Sequence, residues 1–130
     1  PPAKIFLGDT GAIPLGYMVG LIIIKALFFY NLFIPVLILS MYHIVDSTLT
    51  IVIRLMNGDN IFEAHSSHFY QKIIRSGFSH DYVLARIHYM NFILLIMSFI
   101  SIIYPISCFI ISFILTLGLL KIFSSKGIKQ

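Results

Sequence analysis

The chain has few charged residues. Only 11% of its 130 residues are Asp, Glu, Lys or Arg, whereas 58% are hydrophobic, and the mean hydropathy is +0.96. A water-soluble domain of this size needs more polar side chains to cover its surface. The composition therefore predicts a protein that is surrounded by lipid.

Cysteine and targeting signals are also scarce. Cys108 is the only cysteine and lies in an apolar run, so the chain has no internal disulfide framework. The N-terminus, Pro1-Pro2-Ala3-Lys4, lacks an initiator methionine and the basic head, apolar stretch and cleavage site of a signal peptide. We therefore expect the chain to begin within a longer protein.

Long apolar runs predict an all-α fold, a polytopic membrane helix bundle of about four transmembrane helices with one cytoplasmic loop. About 20 helical residues cross a hydrocarbon core of roughly 30 Å. The run 87–123 is too long for one crossing, and Pro105 near its middle predicts a hairpin. Asn31 is a plausible N-cap for the second helix. We place the transmembrane helices at about 11–30, 32–53, 87–104 and 106–122, and the cytoplasmic loop at 54–86.

The basic residues predict the orientation. With four crossings, one side of the membrane carries Lys4, Arg54, Lys72, Arg75, Arg86, Lys121, Lys126 and Lys129. The positive-inside rule assigns that side, with the loop and the C-terminus, to the cytoplasm. Lys25 alone disagrees, and it either snorkels to the far interface or faces a polar interior. The net charge of +4 thus indicates topology and contact with lipid head groups, with no nucleic-acid partner.

Asp9 lies at the cytoplasmic mouth of the first predicted helix and allows two interpretations. As an N-cap it would stabilise the helix by about 1 kcal/mol. As a metal ligand it would offer oxygen to a hard cation such as Mg²⁺, which commonly keeps phosphate oxygens and waters in its shell. Free amides at the same helix end favour a nearby phosphate.

The loop contains a histidine cluster. His65 and His68 are three residues apart and share one face if the stretch is helical. A zinc site would need a further ligand and the glutamate spacing of metalloprotease helices, which the sequence lacks. An interfacial amphipathic helix would turn Phe62, Phe69, Ile73 and Ile74 to lipid and Lys72 and Arg75 to head groups. The imidazoles, amides and cations of such a segment also suit binding of a diphosphate and a sugar.

Asp46 lies inside the second predicted crossing, about two turns from its cytoplasmic end. An intramembrane carboxylate is costly, which makes Asp46 a functional candidate by default. Structural pairing with His43, one turn away, explains it equally well.

Two segments resemble a known family. Residues 1–12 read Pro-Pro-Ala-Lys-Ile-Phe-Leu-Gly-Asp-Thr-Gly-Ala. They closely resemble the Pro-Ala-Lys-hydrophobic-Phe-hydrophobic-Gly-Asp-Ser/Thr-Gly-Ser motif of polyprenyl-phosphate N-acetylhexosamine-1-phosphate transferases. Asp46, Arg54 and the stretch 62–71 look like this family's later aspartate, following arginine and cytoplasmic histidine loop. The likeness covers most of the chain and points to the family's C-terminal part; the last two helices match by hydropathy alone.

The resemblance implies a Mg²⁺-dependent enzyme of the bacterial inner membrane in cell-envelope glycan synthesis. A UDP-N-acetylhexosamine would give its sugar 1-phosphate to undecaprenyl phosphate and release UMP. Asp9 would be the catalytic magnesium ligand, and His68 would help to bind the nucleotide-sugar. The other substrate-binding candidates are His65, Gln71, Lys72, Asp46 and Arg54. A homodimer is possible.

The sequence also departs from the family pattern. Tyr70 and Gln71 replace further histidines, which looks like the O-antigen or amino-sugar branch, and Ser66 stands where an arginine is common. The family's paired aspartates and Asn/Asp-Gly motif lie upstream of this segment, so we expect the chain to be inactive alone. The alternative interpretations are a small transporter or channel fragment and a structural membrane subunit.

Overall fold

The computed structural model describes residues 8–60 and 68–127, and this part of the chain is helical, without a strand. The six helices are α1 (Gly8–Tyr30), α2 (Phe33–Leu39), α3 (Met41–Met56), α4 (Phe69–Arg75), α5 (His80–Ile100) and α6 (Pro105–Gly127). The predicted all-α fold is confirmed.

Three helices are long and apolar enough to cross a membrane. They are α1 over Thr10–Tyr30, α5, and α6 over Pro105–Lys126. Helices α2 and α3 pass the same test only together, and a bend of 67° separates them. The described residues therefore form a membrane helix bundle with three candidate spans, or four if the bent pair is one span.

The bend corrects the expectation of one continuous helix over 32–53. It falls at Ser40, which keeps near-helical backbone angles, φ −90° and ψ −1°. Kinks usually fall at proline or glycine, but Pro35 lies five residues earlier, in the first turn of α2. We find no residue at the bend whose chemistry predicts it.

Asn31 is not the N-cap of α2. It adopts the left-handed conformation, φ 53°, in the turn after α1, and the N-cap position belongs to Leu32. Asparagine tolerates positive φ better than most residues. The turn is closed by the Leu32 N–H, which donates to the Ala26 carbonyl at 3.0 Å. Asn31 therefore ends one helix rather than starting the next.

The predicted hairpin at Pro105 is present. Residues 101–104 form the turn, and Pro105 is the first residue of α6, where its missing N–H is tolerated. At the other end, α5 begins at His80, seven residues before the expected 87. Ser79 starts it as the N-cap, since its hydroxyl accepts from the Tyr82 N–H at 3.3 Å. The last part of the predicted loop is thus helix.

Two polar contacts join α5 to its neighbours. The Ser98 hydroxyl on α5 donates to the Pro35 carbonyl on α2 at 2.9 Å. At the open end of the hairpin, Lys126 Nζ donates to the Tyr82 hydroxyl at 2.8 Å, so the start of α5 and the end of α6 lie side by side. Many large apolar side chains of the candidate spans are exposed, as expected for a surface that faces lipid.

Candidate functional site

A buried polar stripe runs along α3. Its four members are spaced four residues apart, which places them on one helix face: Tyr42, Asp46, Thr50 and Arg54, exposed by 2%, 4%, 2% and 6%. Buried polar groups need hydrogen-bond partners. What these four side chains contact therefore determines what this face of α3 does.

Asp46 contacts the start of α4 through both carboxylate oxygens. Its Oδ1 accepts from the Phe69 backbone N–H at 3.1 Å. Its Oδ2 lies 3.2 Å from His68 Nδ1, an ion-pairing distance, although the two groups are not aligned as a hydrogen bond. The structure thus brings together Asp46 and His68, two residues selected from the sequence that are 22 positions apart.

His43 is not the partner of Asp46. Its side chain is exposed and lines an apolar cleft of about 500 Å³ between α1, α2 and α5. The Asp46 carboxylate turns instead toward the connector, the segment 57–68 that joins α3 to α4. The alternative of a local pair within α3 is therefore wrong.

His68 is the N-cap residue of α4. Its backbone N–H donates to Gln71 Oε1 at 3.3 Å, which fixes the first turn of the short helix. Its ring stacks on Tyr70 with the centroids 6.0 Å apart and 22° between the planes. The His68 side chain is 27% exposed, so the ring reaches from the buried carboxylate to the protein surface.

The apolar face of α4 packs against protein. Phe69 is 7% exposed and Ile73 is fully buried, and α4 contacts α6 and α5. This corrects the expectation that both side chains face lipid. Lys72 is exposed, with Nζ over the Phe69 ring at 5.5 Å from its centre. Helix α4 is thus a fixed part of the bundle.

Arg54 holds the beginning of the connector. Its guanidinium donates to the Asn60 carbonyl, and Nε lies 4.0 Å from Asp59 Oδ2. The Arg54 carbonyl in turn accepts from the Asp59 N–H at 3.0 Å. Nη1 is buried and has no hydrogen-bond partner in the described part of the chain. Arg54 thus lies two turns along α3 from Asp46 and forms a separate set of contacts.

The structure describes only part of what was predicted for Asp9 and His65. Asp9 is the second residue of α1, and its side chain lies outside the described part of the structure. His65 also lies outside the described residues. Within the described ranges 8–60 and 68–127, no three His, Cys, Asp or Glu side chains lie close enough together to form a metal site.

The sequence interpretation missed two features of this site. The spacing of Tyr42, Asp46, Thr50 and Arg54 was readable as one helix face, but their burial was not, since every face of a membrane span is rich in apolar residues. Tyr70 was noted only as a departure from a family pattern, and its ring lies against His68.

Comparison with known proteins bears on the family. Over 96 residues, the chain is 33% identical to a Bacillus subtilis (strain 168) protein described as a probable undecaprenyl-phosphate N-acetylglucosaminyl 1-phosphate transferase. The matched region covers 71% of this chain and 26% of the relative, so the chain spans about a quarter of the relative's length. No family model matches the chain. No solved structure matches it.

Proposed function

Because this chain belongs to the polyprenyl-phosphate N-acetylhexosamine-1-phosphate transferase family, we propose that it forms part of a membrane enzyme that transfers N-acetylhexosamine 1-phosphate from a UDP-sugar to undecaprenyl phosphate. The observation that carries the proposal is the contact of Asp46 with His68 and Phe69, because it holds His68 and the start of α4 against α3. The product would serve cell-envelope glycan synthesis. The relative favours this reaction over a transporter or a structural subunit.

The reaction is a phosphoryl transfer at a membrane surface. An oxygen of the lipid phosphate attacks the phosphorus that carries the sugar, the bond between that phosphorus and the bridging oxygen of the UDP-sugar breaks, and UMP leaves with the bridging oxygen. Such reactions depend mainly on positioning and charge neutralisation. The enzyme therefore needs groups that hold a diphosphate beside a lipid phosphate.

In this proposal, the chain supplies three kinds of group. Asp9, at the start of α1, holds Mg²⁺, which neutralises phosphate charge when bound. His68, the half-buried Gln71 and the exposed Lys72 bind the nucleotide-sugar at the start of α4. Arg54 keeps the start of the connector in place and offers a buried cation behind it. The apolar acceptor tail stays in lipid beside the exposed faces of the spans.

Replacing Asp9 tests the proposal. In the complete protein, Asp9→Asn should lower Mg²⁺-dependent transfer at least roughly a hundredfold, because an amide is a much poorer magnesium ligand than a carboxylate. The assay follows UMP release with undecaprenyl phosphate as acceptor, over a magnesium titration. Asp81→Asn is the matched control, since Asp81 is an exposed carboxylate at the start of α5. Normal turnover of Asp9→Asn would refute the role.

A further inference from the structure

We propose that Arg86 and Lys126, which both contact Tyr82 at the open end of the α5–α6 hairpin, bind the phosphate group of an anionic membrane phospholipid. This lipid is a component of the surrounding membrane rather than a substrate. The proposal goes beyond the transfer reaction and does not depend on it.

Tyr82 brings the two cations together. Lys126 Nζ donates to the Tyr82 hydroxyl and lies 5.2 Å from the centre of the ring, and Arg86 Cζ lies 4.9 Å from the same centre. Nζ and Cζ are therefore no more than about 10 Å apart, the sum of their two distances to the ring centre. One phospholipid head group, contacted by two flexible side chains, can span that separation.

Both cations have donors to spare. Among the residues that the structure describes, no carboxylate lies within ion-pairing distance of Arg86 or Lys126. The Tyr82 hydroxyl uses one of the three N–H groups of Lys126. Asp81, the acidic residue next in sequence to Tyr82, lies roughly 140° around α5 from Arg86. Two neighbouring positive charges with free donors favour an anion with several acceptor oxygens, and phosphate is the group of this kind that membrane lipids provide.

The site lies at the depth of lipid head groups. The candidate spans cover His80–Ile100 and Pro105–Lys126, so Tyr82 and Lys126 lie at the ends of two neighbouring spans. Arg86 is one turn further along α5, about 6 Å from the level of Tyr82. Tyrosine and basic side chains concentrate at this depth, where a charged end can reach the head groups while its stem stays in apolar surroundings.

Exposed apolar side chains continue from the two cations toward the middle of the membrane. On α5, Tyr89 follows Arg86 on the same face and is 69% exposed. On α6, Ile122 lies one turn before Lys126 and is 43% exposed. A lipid whose phosphate contacts the cations can lay its acyl chains along these two faces. A soluble phosphate gains no such contact, so the surface favours a phospholipid.

The lysine is held in place before a lipid binds. The Phe78 and Tyr82 rings lie 5.2 Å apart, and Lys126 Nζ lies 5.6 Å from the centre of the Phe78 ring in addition to its hydrogen bond with Tyr82. A side chain that is already ordered loses less entropy on binding. Tyr82→Phe keeps the ring but removes the hydroxyl, and it should therefore weaken lipid binding by less than the loss of the Lys126 charge does.

The test measures lipid binding to the complete protein in a neutral detergent by native mass spectrometry. The probes are phosphatidylglycerol, which is anionic, and phosphatidylcholine, which is zwitterionic; the wild-type protein should bind the first more tightly. Arg86→Gln and Lys126→Gln should each weaken phosphatidylglycerol binding roughly fivefold, which corresponds to about 1 kcal/mol per cation. Lys121→Gln is the matched control, because Lys121 is an exposed lysine of the same helix with no ring or ion-pair contact in the described segments.

Charge-preserving variants separate loss of charge from loss of fold. Arg86→Lys and Lys126→Arg should retain most of the phosphatidylglycerol binding. Equal affinity of the wild-type protein for the two lipids, or an equal loss in Lys121→Gln, would overturn the site.

Two further probes identify the source of the phosphate. Competition by inorganic phosphate would assign the two cations to a free anion. Tighter binding of undecaprenyl phosphate than of phosphatidylglycerol, lost in the same variants, would assign them to the acceptor. Either result overturns the proposal. Because the binding assay contains no UDP-sugar, a protein without transfer activity would refute the proposed function and leave this test unaffected.

Discussion

Arg54 is a buried cation whose contacts are mostly to the backbone and side chains of the next few residues. A buried guanidinium is costly unless it is paired, and here Nη2 donates to the Asn60 carbonyl while Nε lies 4.0 Å from Asp59 Oδ2. The residue therefore couples the end of α3 to the path of the connector. Its forked geometry is the reason why lysine is not an equivalent replacement.

Arg54→Met should lower the free energy of unfolding by about 2–3 kcal/mol, because it leaves the Asn60 carbonyl and Asp59 without their cation. Arg54→Lys should lower the free energy of unfolding by less, because lysine keeps the positive charge although it cannot make both contacts. Thermal unfolding in detergent, followed by circular dichroism, measures both. Arg86→Met is the control: Arg86 is exposed and lies over the Tyr82 ring at 4.9 Å, an interaction of about 0.5–1 kcal/mol. Equal losses of unfolding free energy in Arg54→Met and Arg86→Met would contradict the proposed stabilising role of Arg54.

The sequence indicated which residues belong to the site more readily than it indicated which residues they contact. The cost of a carboxylate inside a membrane span singled out Asp46, and the loop motif singled out His68. Their contact was not predictable, because spacing within one helix pointed to His43 and nothing local indicates that the chain returns to α3 after 22 residues. Long-range pairs of this kind depend on how the connector packs.

Among the elements, α2 and α5 are joined by a side-chain hydrogen bond. The Ser98 hydroxyl donates to the Pro35 carbonyl at 2.9 Å. Ser98→Ala should cost about 0.6–2 kcal/mol, the range of interhelical hydrogen bonds in membranes. Ser107→Ala, at an exposed serine near the start of α6, should change stability by less than about 0.5 kcal/mol. Matched unfolding curves in detergent give the comparison, and equal midpoints would mean that the bond contributes nothing.

The sequence predicted helix positions correctly where local residue chemistry determines them. Hydropathy located α1, and Pro105 marked the start of α6. The start of α5 was placed too late because the polar residues after Ser79 were read as loop, although Ser79 caps a helix and Asp81 suits its first turn. The bend at Ser40 had no such signal, since the apolar run continues through it.

For the whole molecule, the open question of three or four crossings has a direct test. In a Cys108→Ala background, single cysteines at Thr10, Asp59 and Ile103 report on three exposed positions. If α2 and α3 together cross the membrane, a membrane-impermeant maleimide should label Thr10→Cys and Asp59→Cys from one side and Ile103→Cys from the other. Labelling of Thr10→Cys and Asp59→Cys from opposite sides would mean that α2 and α3 form a re-entrant loop, which leaves the membrane on the side from which it entered. Native Cys108 is buried and should react slowly.

The 67° angle between α2 and α3 also affects the bilayer around the protein. Two limbs at that angle cannot both stand upright, so at least one leans by half of it, about 33°, from the membrane normal. Typical membrane helices lean by about 20°. The more slanted of the two helices spans less of the hydrocarbon height than an upright helix of its length, and we expect the adjacent leaflet to thin to match it. The headgroup layer would then dip beside the bent pair of helices.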